Sequence, residues 1–199
     1  RVITYGSDTS ADYRATNVQV AGASWCFDVE RGPDKPMLQV SLGIPGQHNV
    51  MNALAAIAIA SDEGIADEAI VQGLAEFAGV DRRFEITAPV NIDDTTITLV
   101  DDYGHHPTEV EAVIATARQV WPERRVVMVY QPHRFSRTKD LFDDFVRVLS
   151  TVDVLLLLDV YSAGEQAIDG ADSRSLIASI RQRGQISPLH AQDTTEAMQ

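Results

Sequence analysis

Two arginines and a histidine lie together in one short polar segment of the chain. Residues 131–138 read Gln-Pro-His-Arg-Phe-Ser-Arg-Thr, which places His133, Arg134 and Arg137 within five positions. Side chains three residues apart share one side of a helix, and each guanidinium can form paired hydrogen bonds with a carboxylate or a phosphate. The segment therefore predicts an anion-recognition site. The alternative is a solvent-exposed basic turn that pairs with the acids that follow it. Those acids are Asp140, Asp143 and Asp144.

A second polar segment combines carboxylates, imidazoles and an aromatic ring. Residues 101–109 read Asp-Asp-Tyr-Gly-His-His-Pro-Thr-Glu. Such a set of polar side chains at the end of a strand is costly unless it has a use, because acids at the end of a buried strand need partners. Pro107 predicts the first turn of a helix, whose free backbone N–H groups are additional donors. A capped, solvated turn and a metal site are the alternatives.

Two asparagines are spaced to share one face of a helix. Residues 46–53 read Gly-Gln-His-Asn-Val-Met-Asn-Ala, so Asn49 and Asn52 are three positions apart. An amide both donates and accepts hydrogen bonds, which suits the edge of an adenine ring. Helix capping alone would also explain Asn49.

The hydrophobic pattern divides the chain into two parts. Up to residue 44, apolar residues alternate with polar ones in short segments, which predicts a meander of strands. Ala-rich segments at residues 49–61 and 67–77 predict two helices. Residues 79–83 have little apolar content, so we predict the domain boundary there. The resulting domains are residues 1–82 and 83–199.

From residue 84 onward, strands and helices alternate, which predicts a parallel α/β layer. The strands are expected at residues 96–100, 126–130, 152–160 and 186–190, and the helices at residues 109–120, 140–149 and 173–183. Continuously apolar strands such as residues 126–130 are typical of parallel sheets that are covered on both faces. Ligands of such sheets bind at the carboxyl ends of the strands, where the two polar segments and residues 159–165 are expected. Tyr161, Ser162 and Gly164 would form pocket wall rather than act as catalysts.

Composition narrows the classes of partner. The net charge of -13 and the pI near 4.6 argue against a nucleic-acid partner. No apolar run approaches the roughly 20 residues of a membrane span. A single cysteine, Cys26, excludes an intrachain disulfide and fits the reducing cytoplasm. Because the chain starts with Arg1 inside a strand-like pattern and ends as a helix begins, we expect it to be truncated at both ends.

Four motifs in this order resemble the Mur ligase family. They are residues 46–53, 82–85 (Arg-Arg-Phe-Glu), 101–109 and 131–138. The Tyr-Gly-His-His and Pro-His-Arg forms, together with residues 164–176, resemble the members that use L-alanine. The resemblance implies that residues 1–82 end the central ATP-binding domain. It also implies that residues 83–199 form an incomplete, Rossmann-like carboxy-terminal domain.

The activity implied by the resemblance is ATP-dependent ligation in peptidoglycan biosynthesis. L-Alanine would be joined to UDP-N-acetylmuramate through an acyl phosphate. On the nucleotide side, Asn49 and Asn52 would contact the adenine region, Arg83 would lie at the nucleotide, and Asp102 would bind the ribose.

On the amino-acid side, Tyr103 and His105 would line the reacting end of the site. His133, Arg134 and Arg137 would orient the amino-acid carboxylate and stabilise the developing negative charge. His105, His133, Arg134 and Arg137 are thus the catalytic candidates that the resemblance implies.

The family's phosphate-binding loop has no counterpart in these residues, because no Gly-x-x-x-x-Gly-Lys-Ser/Thr occurs. The uridine-nucleotide domain and the magnesium ligands also have no counterpart. We therefore expect these elements in a missing amino-terminal part of the same chain, and we expect these residues to be inactive alone.

Other functions remain as alternatives. A sister ligase that adds a preformed tripeptide during wall recycling has similar motifs, and a non-catalytic nucleotide-binding module would have no phosphate-binding loop upstream. A metal hydrolase built on Asp102, His105, His106 and His133 is disfavoured, because no helix face presents two histidines four residues apart. A dehydrogenase is disfavoured because no Gly-x-Gly-x-x-Gly follows a strand.

Overall fold

The computed structural model describes residues 2–21, 24–33, 35–92 and 95–198. The chain forms two compact units, Arg1–Tyr103 and Gly104–Gln199, and each has its own hydrophobic core. Within the described ranges, no helix combines the length and the hydropathy needed to cross a membrane. The family's domain limits at residues 82 and 83 remain a prediction.

The first unit begins with a mixed sheet. Its strands are β1 (Tyr5–Gly6), β2 (Tyr13–Ala21), β3 (Ser24–Glu30) and β4 (Leu38–Leu42), hydrogen-bonded in that order. The predicted meander is confirmed for β2, β3 and β4, which are antiparallel, but it is wrong for β1, which is parallel to β2. The Asp12 carboxylate accepts the backbone N–H of Thr4 at 2.8 Å, and this bond fixes the returning chain beside the start of β1.

The two predicted helices, α1 (Gln47–Asp62) and α2 (Asp67–Glu76), follow this sheet. The alternation of β3 and β4 buries Phe27, Val29, Val40 and Leu42, and α1 adds Val50, Leu54 and Ile57 to the same core. The Arg31 guanidinium, whose side chain is 1% exposed, binds Asp67 at the first turn of α2 at 2.7 Å. This pair fastens α2 to the end of β3.

A hairpin completes the first unit, formed by β5 (Glu85–Ile92) and β6 (Thr95–Asp101). The strand predicted at residues 96–100 exists, but its placement in the parallel layer is wrong, because its partner is the antiparallel β5. Strand β5 was not predicted, since Pro89 interrupts its pattern. The pairing register shifts between Thr87 and Val90, and such a bulge tolerates a residue that has no N–H to donate.

The second unit confirms the predicted parallel α/β layer. Strands β7 (Val127–Tyr130), β8 (Val154–Leu158) and β9 (Leu189–Ala191) are parallel and adjacent in that order. The helices are α3 (Pro107–Val120), α4 (Phe135–Asp140), α5 (Phe142–Leu149), α6 (Ser173–Arg183) and α7 (Thr194–Ala197). The core is formed by apolar residues of α3, α5 and α6 packed on β7 and β8.

One face of the parallel sheet is open to solvent. Val127 and Val129 on β7 are 56% and 60% exposed, and Leu189 on β9 is 59% exposed. The expectation that both faces are covered is therefore wrong for the described residues. The two consecutive crossovers run in the same direction, and right-handed crossovers of that kind place α5 and α6 on the same face.

Candidate active site

The loops that follow β7 and β8 are hydrogen-bonded to each other beyond the ends of the strands. The backbone N–H of Arg134 donates to the Tyr161 carbonyl at 2.8 Å, and the N–H of Tyr161 donates to the Pro132 carbonyl at 2.8 Å. We call residues 131–138 the basic loop. As expected for the carboxyl ends of parallel strands, the basic loop and residues 159–165 lie together.

Three rings lie next to one another at this end of the sheet. The His133 ring centroid is 5.0 Å from that of Tyr161 and 6.3 Å from that of His105. His105 belongs to the segment before α3, so residues from three different loops meet around His133. Tyr161, predicted as wall, lies directly against a candidate catalytic ring.

Arg137 lies close to His133 in both backbone and side chain. Its guanidinium donates to the His133 carbonyl at 3.2 Å and lies 3.5 Å from the ring nitrogen Nδ1. Burial, followed by the positive charges of Arg137 and Arg134, lowers the pKa of His133. The ring is therefore neutral at neutral pH and can accept as well as donate a hydrogen bond.

Arg134 occupies an unfavourable backbone conformation. Its φ is 72° and its ψ is 131°, at the residue that precedes the first turn of α4. Residues with a Cβ adopt such a conformation only where the surrounding structure imposes it. The Arg134 side chain is 51% exposed, and its guanidinium lies 3.9 Å from Glu165.

The pairs predicted for an ordinary basic turn are not those that the structure describes. The ion pair described for Arg134 involves Glu165, and the one described for Asp144 involves Arg147 at 3.6 Å. Glu165 also accepts two hydrogen bonds from Ser136 of the basic loop, at 3.0 Å from the N–H and 2.7 Å from the hydroxyl. These bonds, with Arg134 nearby, lower the pKa of Glu165.

The alternative of a capped turn is correct for part of the segment before α3. His106 is the residue that caps α3, and its Nδ1 accepts the Thr108 N–H at 3.2 Å. The Glu109 carboxylate accepts the N–H groups of His105 and His106 at 3.0 and 3.1 Å. Capping therefore accounts for His106 and Glu109.

The two asparagines of the first unit share a helix face, as predicted. The Asn52 amide nitrogen donates to the Asn49 oxygen at 3.3 Å, and the Asn49 nitrogen donates to the Pro45 carbonyl at 2.7 Å. Asn49 is not the cap of α1, because that position belongs to Gly46, whose φ is 113°. Asn49 is buried, and Asn52 is exposed.

Asp102 has a structural contact near the start of the hairpin. Its carboxylate accepts the backbone N–H of Phe84 at 2.8 Å, and Phe84 is 3% exposed with a φ of 48°. Tyr103 is 48% exposed, and the Arg82 guanidinium lies 5.1 Å from its ring centroid. These contacts hold the segment that carries Arg83.

His48 was not singled out from the sequence, although it lies between Gly46 and Asn49. Burial lowers its pKa, while Asp102 raises it and Arg83 lowers it further. Both residues therefore lie near the start of α1. The His48 nitrogen Nδ1 is buried without a hydrogen-bond partner among the described residues.

The predicted site residues fall into two groups. Asn49, Asn52, Arg83, Asp102 and Tyr103 belong to the first unit. His105, His133, Arg134 and Arg137 belong to the second. In the described ranges, no group of three or more His, Cys, Asp or Glu side chains is arranged to hold a metal ion.

Family models match both parts of the sequence. Residues 1–60 match the Mur ligase middle domain, and residues 82–199, more than half of the chain, match the glutamate ligase domain of the Mur ligases. The chain belongs to the Mur ligase family. The predicted resemblance is thereby confirmed.

Solved structures of other ligases resemble this Mur ligase chain over nearly its whole length. UDP-N-acetylmuramate-alanine ligase of Thermotoga maritima is 28% identical with a TM-score of 0.78, over 98% of this chain and 40% of that one. A murein peptide ligase of Psychrobacter arcticus is 23% identical with a TM-score of 0.62, over 98% and 39% of the two chains.

The same fold occurs in folylpolyglutamate synthase of Mycobacterium tuberculosis, solved with ADP and AMPPCP. It is 17% identical with a TM-score of 0.69, over 95% of this chain and 40% of that one. The TM-scores of these three structures show that they share the fold of this chain. The Mur ligase chain spans about two fifths of the length of these proteins.

Proposed function

We propose that these residues belong to an ATP-dependent ligase of peptidoglycan synthesis that joins L-alanine to UDP-N-acetylmuramate through an acyl phosphate. The observation that carries the proposal is the basic loop, with His133, Arg134 and Arg137 next to His105 at the carboxyl end of β7. Membership of the Mur ligase family supports the ligase class. The 28% identity to an alanine-adding ligase supports the choice of substrate.

The second unit would bind the amino acid. The guanidinium groups of Arg134 and Arg137 can form charge-assisted hydrogen bonds with the alanine carboxylate. They would also stabilise the negative charge that develops when the alanine amine attacks the carbonyl carbon of the acyl phosphate and inorganic phosphate leaves. The neutral His133 ring can accept a proton from that amine, with His105 beside it.

The first unit would bind the nucleotide. Asn52 would present its amide group to the adenine edge, and the buried Asn49 would hold that amide by a hydrogen bond. Asp102 offers a carboxylate to a ribose hydroxyl, and Arg83 offers a cation to a phosphate. Tyr103, held by Arg82, would line the reacting end. Part of the Asp102 carboxylate is already used by Phe84, so a ribose would share this residue with the hairpin.

Magnesium is implied by the family reaction, but the described residues form no cluster suited to it. We expect its ligands and the phosphate-binding loop elsewhere in the protein. For the same reason, we expect this polypeptide alone to release no phosphate from ATP when alanine and UDP-N-acetylmuramate are supplied. The single cysteine is consistent with a cytoplasmic setting.

Substitution of Arg137 in the intact enzyme tests the proposed function. Arg137→Ala should raise the KM for alanine roughly tenfold or more, since a hydrogen bond to a charged group contributes about 1.5–3 kcal/mol. The KM for ATP should change by less than about twofold. Initial rates at varied alanine and varied ATP give both constants.

The matched control is Arg147→Ala, which removes an exposed arginine that is paired with Glu111 at 2.6 Å outside the candidate site. It should leave both constants near their wild-type values. Comparable changes in the two constants for Arg137→Ala would refute the assignment.

Supplying free alanine and a preformed tripeptide to the wild-type enzyme distinguishes this function from that of the sister ligase. Consumption of neither substrate would favour a non-catalytic module.

A further inference from the structure

Glu165 lies in the loop of residues 159–165, but the sequence motifs assign it no role. It ends a tight turn after β8, in which its N–H donates to the Ser162 carbonyl at 3.0 Å. Both residues inside the turn have positive φ, 51° at Ala163 and 85° at Gly164. Alanine is strained at such a φ, whereas glycine is not. The turn therefore includes an unfavourable backbone conformation at Ala163, and it brings the Glu165 carboxylate to the basic loop.

The Glu165 carboxylate uses both of its oxygens on one residue of the basic loop. Oε2 accepts the Ser136 N–H at 3.0 Å, and Oε1 accepts the Ser136 hydroxyl at 2.7 Å. The Glu165 side chain is 26% exposed, so water competes less with these bonds than at an open surface. The resulting contact joins the loop after β8 to the first turn of α4.

Arg134 lies next to the same contact. Its backbone has a φ of 72°, its N–H is held by the Tyr161 carbonyl at 2.8 Å, and its guanidinium faces Glu165 at 3.9 Å. A residue with a Cβ returns to negative φ when its restraints are removed. Such a return would change the direction in which the Arg134 side chain leaves the loop.

We propose that Glu165 is a positioning residue that holds Ser136 and Arg134, and that it thereby keeps the basic loop in the geometry that binds the carboxylate of the amino-acid substrate. This inference rests on the proposed function. Glu165 acts through Arg134 and does not itself bind the substrate carboxylate, because like charges repel. Its lowered pKa keeps the carboxylate ionised at neutral pH, where it accepts both bonds.

The test is Glu165→Gln in the intact enzyme. Glutamine has the same shape but no negative charge, and its amide nitrogen can only donate, so the two charge-assisted bonds from Ser136 are replaced by weaker neutral ones. Amide hydrogen exchange without substrates should become about tenfold faster at Ser136 and faster at Arg134. The KM for alanine should rise roughly five- to tenfold, and the KM for ATP should stay within about twofold of wild type.

Two further variants calibrate the result. Glu111→Gln makes the same change in an exposed ion pair with Arg147, 2.6 Å long, and should leave exchange in the basic loop and both KM values unchanged. Ser136→Ala removes only the hydroxyl bond to Glu165 and should produce a smaller effect of the same kind. If Glu165→Gln lowers overall stability, Ser136→Ala still separates alanine binding from ATP binding.

Unchanged exchange at Ser136 and Arg134 in Glu165→Gln overturns the positioning role. Faster exchange with equal changes in the two KM values also overturns it, because the loop would then not serve the amino acid. Failure of the wild-type enzyme to use alanine would instead contradict the proposed function. The exchange measurement needs no substrate, so it decides separately whether Glu165 holds the loop.

Discussion

The strained backbone of Arg134 predicts an unusual response to substitution. Arg134→Gly and Arg134→Ala both remove the guanidinium, but glycine adopts the observed φ of 72° without a steric penalty. We expect the glycine variant to be the more stable of the two. Both variants should raise the KM of the intact enzyme for alanine to the same extent, because neither retains the cation.

The magnitude follows from three contributions. A residue in a sparsely populated φ/ψ region costs about 1–3 kcal/mol, and glycine removes this cost. Glycine also lowers the free energy of unfolding by about 0.4–1 kcal/mol, because it gives the unfolded chain more conformational freedom. The pair with Glu165 is 3.9 Å long and half exposed, so its contribution of at most about 1 kcal/mol is lost equally in both variants. The expected difference is about 1 kcal/mol in favour of glycine.

Thermal unfolding of the two variants measures this difference. For a chain of this size, about 1 kcal/mol corresponds to a difference of about 2–4 °C in the unfolding midpoint. Arg118 provides the matched control, since it lies in α3 and pairs with Asp153 at 2.8 Å. There the order should reverse, with Arg118→Gly less stable than Arg118→Ala by about 0.5–1 kcal/mol. If Arg134→Gly is no more stable than Arg134→Ala, the reasoning from backbone strain is refuted.

Two further predictions concern buried polar groups. Tyr130→Phe should stabilise the chain by about 1 kcal/mol, because the Tyr130 hydroxyl is buried without a hydrogen-bond partner in the described part of the chain; a lower unfolding midpoint would contradict this. Asp67→Asn should cost about 2 kcal/mol at neutral pH, less than a fully buried pair, since Arg31 is 1% and Asp67 36% exposed. The hydrogen bond from Arg31 lowers the pKa of Asp67. The stability that this pair contributes is therefore present above the ordinary aspartate pKa of about 4, and it is lost as the pH falls below that value. Denaturant unfolding at about pH 7 and about pH 3 should show the gap between wild type and Asp67→Asn closing; a gap that is independent of pH would contradict the prediction.

Patterns that depend on burial and local chemistry were predictable from the sequence. The apolar run at residues 126–130 indicated a strand, which is β7, and Pro107 indicated the first turn of α3, which begins at that residue. The spacing of Asn49 and Asn52 indicated a shared helix face, which their hydrogen bond confirms. The motifs around Arg134 and Arg137 indicated the family, and the family models confirm it.

Features that depend on distant pairing were not predictable. The sequence pattern of β6 is the same whether its neighbour is a parallel strand or the hairpin partner β5. Strand β5 was not recognisable, because Pro89 interrupts its pattern. The exposure of Val127 follows from the direction of successive crossovers, which local periodicity does not contain. The contact of Glu165 with the basic loop was not predictable, because its partner Ser136 is 29 residues away in sequence. The assigned roles of the site residues stay predictions.

The hydrogen bond between the two asparagines affects base selectivity in the nucleotide role proposed for them. Asn49 is buried, and its oxygen already accepts from Asn52. Asn52 is an exposed residue, and its amide oxygen forms no hydrogen bond within the described residues, so this oxygen can accept from a ligand. Adenine has an amino group at its sixth position, which can donate to this oxygen. Guanine has a carbonyl oxygen at the same position, and two acceptor oxygens repel each other. One amide oxygen would thus carry the choice between the two purines.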